Sequence, residues 1–136
     1  MSNTTTGYYG VLEEDPSFSV LGGFYNNNIK LWISSNVGDI HYTIDGSRPN
    51  KDSQIFIDSI NIDSTTIIRA SIFETGFISR NIITQTYFIN ESFDSREIPV
   101  FSISTDPGYL WDIDTGLYVQ DFKPLWEYPI NIEFYE

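Results

Sequence analysis

The stretch Ile40 to Asn50 constrains this chain more than any other. Ile40, Tyr42 and Ile44 alternate with His41, Thr43 and Asp45, the period-two pattern of a strand with one buried face. Asp45-Gly46 then turns the chain, because glycine adopts positive φ without a clash and an aspartate side chain can bond its own backbone. Pro49 has no amide hydrogen for a ladder, so the chain leaves the sheet there. Composition points the same way. Phe, Tyr and Trp number 10, 9 and 3, isoleucine is frequent and alanine scarce, which favours strands over helices.

Short strands of the same kind recur along the chain. Ile29, Leu31 and Ile33 form one face of a strand, with Lys30 and Trp32 on the other. Burial statistics favour a cover over Trp32. Thr65 to Phe73 places Ile68, Ala70 and Ile72 on one face and Ile67, Arg69, Ser71 and Phe73 on the other. Gly76 turns the chain towards a closing strand, Ile82 to Ile89. Turn signals at short, regular intervals predict an all-β fold, an immunoglobulin/fibronectin-III-like antiparallel β-sandwich of about seven strands. The expected organisation is a flexible segment over residues 1–9, the sandwich over 10–90, a polar linker over 91–97 and a β-rich extension over 98–136. In that extension the run from Ile98 reads as a strand that stops at Asp106-Pro107, Tyr109 to Asp112 as one helical turn and Gly116 to Val119 as a short strand. A last strand aligns Ile130, Ile132 and Phe134 on one side.

The signature Tyr42-Thr43-Ile44-Asp45-Gly46-Ser47-Arg48-Pro49 resembles the Tyr-Thr-x-Asp-Gly-Ser-x-Pro pattern of a small β-sandwich. That sandwich closes chitobiases and β-hexosaminidases, and recurs as a fibronectin-III-associated domain in bacterial surface proteins. Tyr42, Asp45, Gly46, Ser47 and Pro49 carry the likeness, which continues into Ile68-Arg69-Ala70, the turn at Gly76 and Thr86-Tyr87-Phe88-Ile89. It implies a fold and no activity, since the catalytic acids of hexosaminidases belong to a separate barrel. The extension resembles the opening of the spore-coat protein H (CotH) kinase-like family. The likeness rests on Ile98-Pro99-Val100, Thr105-Asp106-Pro107, Leu110-Trp111-Asp112, Gly116-Leu117-Tyr118-Val119, Trp126 and Pro129 to Glu133. On this likeness residues 98–136 are the N-terminal fragment of a second domain. The nucleotide- and metal-binding residues of that family lie further downstream, so none carries over. Together the two likenesses imply an extracellular or cell-surface bacterial protein.

The formal charge is −12. Residues 1–90 carry 9 acids against 5 Lys/Arg, and residues 91–136 carry 10 against 2. Such a surface repels phosphate backbones and anionic membranes, so neither nucleic acid nor membrane insertion is expected. No apolar run reaches membrane-spanning length, and the opening Met-Ser-Asn-Thr-Thr-Thr has no signal-peptide character. The absence of cysteine excludes disulfides, thiol catalysis and cysteine-ligated zinc.

No catalytic constellation is visible. His41 is the only histidine, it reads as a partly exposed strand residue, and no Gly-x-Ser-x-Gly elbow accompanies it. Gly22-Gly23 lacks the partners of a phosphate loop. Most acids fall in turns, where turn chemistry explains them. Asp106, Asp112 and Asp114 are the candidate Ca²⁺ ligands, being oxygen donors at short spacing, though the spacing is not that of an EF-hand. Trp32 and Tyr25 are the candidate platform for a polysaccharide, while packing is the expected role of Trp111 and Trp126.

The expected function is therefore non-enzymatic and needs no cofactor. The module would space or dock a neighbouring domain or surface protein, with self-association through an edge strand as a further route. A carbohydrate-binding accessory module and a fragment of a kinase-like protein are the alternatives.

Overall fold

The computed structural model describes residues 10–79, 81–91, 99–119 and 127–136. The expected segment 1–9, the linker beyond Glu91, and Trp126 lie outside these described residues. The elements in chain order are β1 (Gly10–Leu12), β2 (Ser17–Phe18), β3 (Gly23–Tyr25), β4 (Ile29–Leu31), β5 (Ile33–Ser34), β6 (Asp39–Thr43) and β7 (Gln54–Ile55). They continue as β8 (Ile60–Ile62), β9 (Thr66–Phe73), β10 (Phe77–Ser79), β11 (Ile83–Ile89), β12 (Val100–Ser104), α1 (Pro107–Trp111) and β13 (Asn131–Tyr135). The fold is all-β, as its alternating sequence predicts.

A five-stranded sheet in the order β3-β11-β9-β6-β7 forms one layer. Its central strands are antiparallel, with Tyr42 opposite Ala70 and Ala70 opposite Ile83. The pairs β4-β8 and β2-β5 supply the other layer. Two short pairings, β1 with β10 and β3 with β11, run parallel. The alternation of β9 works as its sequence predicts: Ile68, Ala70 and Ile72 are fully buried. They join Leu31, Ile33 and Ile62 from the opposite layer and Ile40, Tyr42, Tyr87 and Ile89 from their own sheet in one core. Burying such a side chain stabilises the fold by about 1.5–3 kcal/mol, so this cluster holds the two layers together. Tyr87 puts its ring in the core and donates its hydroxyl to the Val20 carbonyl at 2.8 Å. Burial pushes that phenol well above its ordinary range.

Four details depart from the sequence reading. Ile44 does not continue the buried face, because β6 ends at Thr43 and leaves Ile44 exposed. His41 is buried rather than partly exposed. Its ring meets Phe73 edge-on at 4.8 Å, and its Nδ1 lies 3.1 Å from the Ser53 carbonyl oxygen. Trp32 is only half covered, 47 % exposed with Lys30 Nζ 5.4 Å from its ring centre. It sits where the chain switches partners, from β8 on one side to β2 on the other. Gly116 to Val119 is not a strand. Its amides fold back onto the helix, Leu117 donating to the Tyr109 carbonyl and Tyr118 to that of Leu110, both at 2.9 Å.

Candidate functional site

The organising turn is also where the extension attaches. Asp45 Oδ1 accepts the Ser47 amide at 2.9 Å and the Ser47 hydroxyl at 2.6 Å, closing the turn that Gly46 permits at φ +83°. These two bonds hold the Asp45 carboxyl below the usual carboxylate range. Gly46 and Pro49 are buried, and Tyr42 anchors the strand in the core. Arg69 reaches from β9 and donates to the Gly46 carbonyl at 2.7 Å. Burial lowers the Arg69 pKa, while the nearby Asp106 carboxylate opposes that shift. From the extension, Asp106 accepts the Arg48 amide on Oδ2 at 3.1 Å and the Gly108 amide on Oδ1 at 2.9 Å. Asp106 thus caps α1 and ties it to the turn in one step.

Beyond this tie the β12–β13 hairpin lies over the outer face of the five-stranded sheet. Ser102 pairs with Glu133 and Val100 with Tyr135 across the hairpin. These side chains turn towards the sheet. Glu133 accepts the Thr86 amide at 3.1 Å and the Thr86 hydroxyl at 2.5 Å, and Tyr135 donates its hydroxyl to Glu133 at 2.7 Å. The Tyr135 ring packs edge-on against Phe24 and Phe88. Burial and the adjacent Glu133 carboxylate push the Tyr135 phenol up strongly. The opposite face of the hairpin carries Phe101, Ile103, Ile132 and Phe134, each at least half exposed. Phe101 and Phe134 lie 4.8 Å apart, opposite one another in the ladder, and Ile103 stands opposite Ile132. The hairpin is therefore inverted: its polar face docks and its apolar face meets solvent.

The inward face is not fully satisfied. Arg69 Nε, Ser104 Oγ and Asn131 Nδ2 are buried without a hydrogen-bond partner among the described residues. Each such group costs about 1–3 kcal/mol. Hydrogen bonds to a charged group return about 1.5–3 kcal/mol each, so Glu133 offsets much of that cost. Sequence reading missed Glu133, Tyr135 and Thr86. The alternation of β13 is plain in its residues, but nothing in the pattern says which face turns inward.

The predicted site residues fall in separate places. Tyr25 lies on β3 with its ring 6.2 Å from Tyr87, and its hydroxyl donates to the Leu21 carbonyl at 2.6 Å. Trp32 belongs to the opposite layer, with Lys30 Nζ 5.4 Å from its ring centre. The structure thus puts the two aromatics in different sheets. Asp112 accepts the amides of Asp114 and Thr115 and the Thr115 hydroxyl, which hold its carboxyl below the usual range. Asp106 serves as the helix cap described above. Among the described residues, no three His, Cys, Asp or Glu side chains gather into a metal-holding group. Trp111 is not buried by the extension. It is 66 % exposed and stacks at 4.9 Å on Tyr118, itself exposed.

A cavity of about 450 Å³ opens at the root of the hairpin. The Asp45-Gly46 turn, the start of β9, Thr86 and Phe88 of β11, the end of β12 and the Pro107–Trp111 helix surround it. Among the described residues, no helix is long and apolar enough to cross a membrane.

Residues 20–84 match the family model of the chitobiase/beta-hexosaminidase C-terminal domain, a non-catalytic accessory domain of those glycosidases. The match contains the signature turn and β9, and stops short of the hairpin. No curated protein and no solved structure matches the chain.

Proposed function

We propose that this chain is a non-catalytic structural module of a bacterial surface or secreted protein, and that its hairpin docks a neighbouring domain. The inverted hairpin carries the proposal. Phe101, Ile103, Ile132 and Phe134 form one contiguous apolar strip, and a contiguous strip of this kind marks an interaction surface more often than scattered apolar residues do. The strip stands on a base fixed by Glu133 and Asp106, so it is presented in a defined orientation. The accessory character of the family matched over residues 20–84 supports a role without catalysis. His41, the one histidine, is buried and engaged, which also supports that reading.

The neighbour would be apolar where it meets the strip. A kinase-like domain of the spore-coat protein H type fits the likeness of residues 98–133 and remains part of this proposal. Self-association through an edge of the hairpin is the other route, and the charge of −12 opposes it.

Photo-crosslinking tests the docking role. A benzophenone amino acid placed at Phe101 in the producing cell is expected to give one discrete crosslinked product or intramolecular bridge. The same group at Ile57, 90 % exposed on the sandwich, is the control. A diffuse pattern at position 101, no different from position 57, contradicts the docking role.

A further inference from the structure

The cavity at the hairpin root lies largely outside the matched family region and shares only Ile103 with the docking strip. Its volume of about 450 Å³ falls within the range of small-ligand sites, about 300–1,000 Å³. Its wall joins two kinds of surface. Trp111 and Phe88 are its aromatic lining residues; the Phe88 ring is stacked on Phe24, while Trp111 stays 66 % exposed even though it stacks on Tyr118. The rest of the wall mixes the apolar Ile67, Ile103, Pro107 and Leu110 with hydroxyl and carboxylate side chains.

The hydrogen-bond roles of those oxygens select the ligand. The Thr66 hydroxyl donates to the Ser64 carbonyl at 2.8 Å, and the Thr105 hydroxyl donates to the Pro129 carbonyl at 2.8 Å. Thr86 donates to Glu133, so the Ser102 hydroxyl, 2.7 Å away, donates to Thr86. The protons of these hydroxyls are spent on protein groups, while their lone pairs remain. Asp45, an exposed carboxylate, adds a further acceptor to the wall. Ser104, whose hydroxyl has no partner among the described residues, is the exception in this wall. The hydroxyls of Thr66, Ser102 and Thr105 and the Asp45 carboxylate present acceptors, which suits a ligand that brings many O–H donors.

Charge narrows the class again. Arg69 is committed to the Gly46 carbonyl and sits beside Asp106. The chain as a whole carries −12, so phosphorylated, sulfated or uronic ligands are repelled. A pyranose ring meets the remaining requirements. Its weakly positive C–H face suits the electron-rich face of an indole, and its hydroxyls supply donors around the edge. We infer that the hairpin-root cavity is a binding site for a neutral oligosaccharide, with Trp111 as the stacking platform and Asp45, Thr66, Ser102 and Thr105 as acceptors. This site is separate from Trp32 and Tyr25, which lie elsewhere on the sandwich. It does not depend on the docking role proposed above.

The test is calorimetric titration of the whole chain with cello-, manno-, malto- and chito-oligosaccharides, with oligogalacturonate as the anionic control. Saturable heat is expected from at least one neutral oligosaccharide and none from the control. Trp111→Ala is expected to weaken that binding at least about tenfold, a loss of about 1.4 kcal/mol. Trp32→Ala is expected to leave it unchanged. Melting curves of both variants, expected to match the parent chain because both side chains are exposed, separate lost binding from lost folding. Silence from every neutral oligosaccharide, or a Kd that Trp111→Ala leaves within about twofold, overturns the assignment.

Discussion

Strands β9 and β13 alternate apolar and polar residues in the same way and present them with opposite sign. In β9 the apolar set Ile68, Ala70 and Ile72 is fully buried. In β13 the apolar set Ile132 and Phe134 is at least half exposed, while Glu133 and Tyr135 bond inward. The difference lies in what each strand meets. β9 faces a second layer that offers Leu31, Ile33 and Ile62. β13 faces the outer side of the same sheet, where Thr86 at the end of the β3 pairing leaves its amide and carbonyl open. Glu133 takes that amide, and the Tyr135 hydroxyl donates to the carbonyl at 3.2 Å. An alternating pattern fixes that a strand has two unlike faces. The neighbouring surface decides which of them turns inward.

The largest expected effect sets the two strands against each other directly. Ile68→Ala empties fully buried volume and should cost about 3–4 kcal/mol in urea unfolding. Ile132→Ala trims an exposed side chain and should stay within about 0.5 kcal/mol. Equal costs at the two positions break the comparison.

Next in size is Glu133→Ala, which leaves the Thr86 amide and hydroxyl without their acceptor and should cost about 2 kcal/mol. Hydrogen exchange should then speed up across Val100–Ser104 and Asn131–Tyr135 while Thr66–Phe73 keeps its protection. Uniform acceleration over both regions means that the hairpin and sandwich open together.

Gly46→Ala sharpens the account of the tie between them. A Cβ at that position would meet the Thr105 carbonyl oxygen at 3.0 Å in a backbone held at φ +83°. The expected cost is about 1–2 kcal/mol in thermal or urea unfolding, with the turn and the adjoining end of β12 the first places to loosen. A neutral result shows that the turn does not hold the extension.

The smallest effect is acid sensitivity at Asp45. Its carboxyl is depressed in the folded chain, so its contribution is present above the unfolded value of about 3.9. That contribution is lost as pH falls through the depressed folded value. At neutral pH, Asp45→Ala should cost about 1 kcal/mol, as the loss of a side-chain cap does. Below that window the stabilities of variant and parent should converge. A gap that persists at low pH contradicts the role given to the carboxylate.

Much of the sandwich was legible because its signals are local. The Asp45-Gly46 turn, the faces of β9 and the helical turn near Tyr109 need only neighbouring residues, and each is where its residues predict. Ile44 and His41 were misread because strand length is set by pairing: β6 has partners only from Asp39 to Thr43, and Phe73 covers His41. Gly116 to Val119 carries strand-forming residues, yet its amides find the Tyr109 and Leu110 carbonyls first. The docking residues were invisible for a related reason. Thr86 and Glu133 are far apart in sequence, and neither stands out in its own segment. Trp111 was expected to pack, since burial is the common fate of its type, and only the folded position of α1 shows its exposed face.

The inversion of the hairpin is the claim on which the docking role stands, and thiol accessibility tests it most directly. The chain has no cysteine of its own, so Phe101→Cys, Ser102→Cys, Ile103→Cys and Ser104→Cys each introduce a single thiol. With a water-soluble maleimide, thiols at positions 101 and 103 should react at nearly free rates. Those at 102 and 104 should react at least about tenfold more slowly, at a rate set by local opening. The reverse alternation, fast at 102 and 104 and slow at 101 and 103, would mean that the apolar face is the one turned inward, and would contradict the account.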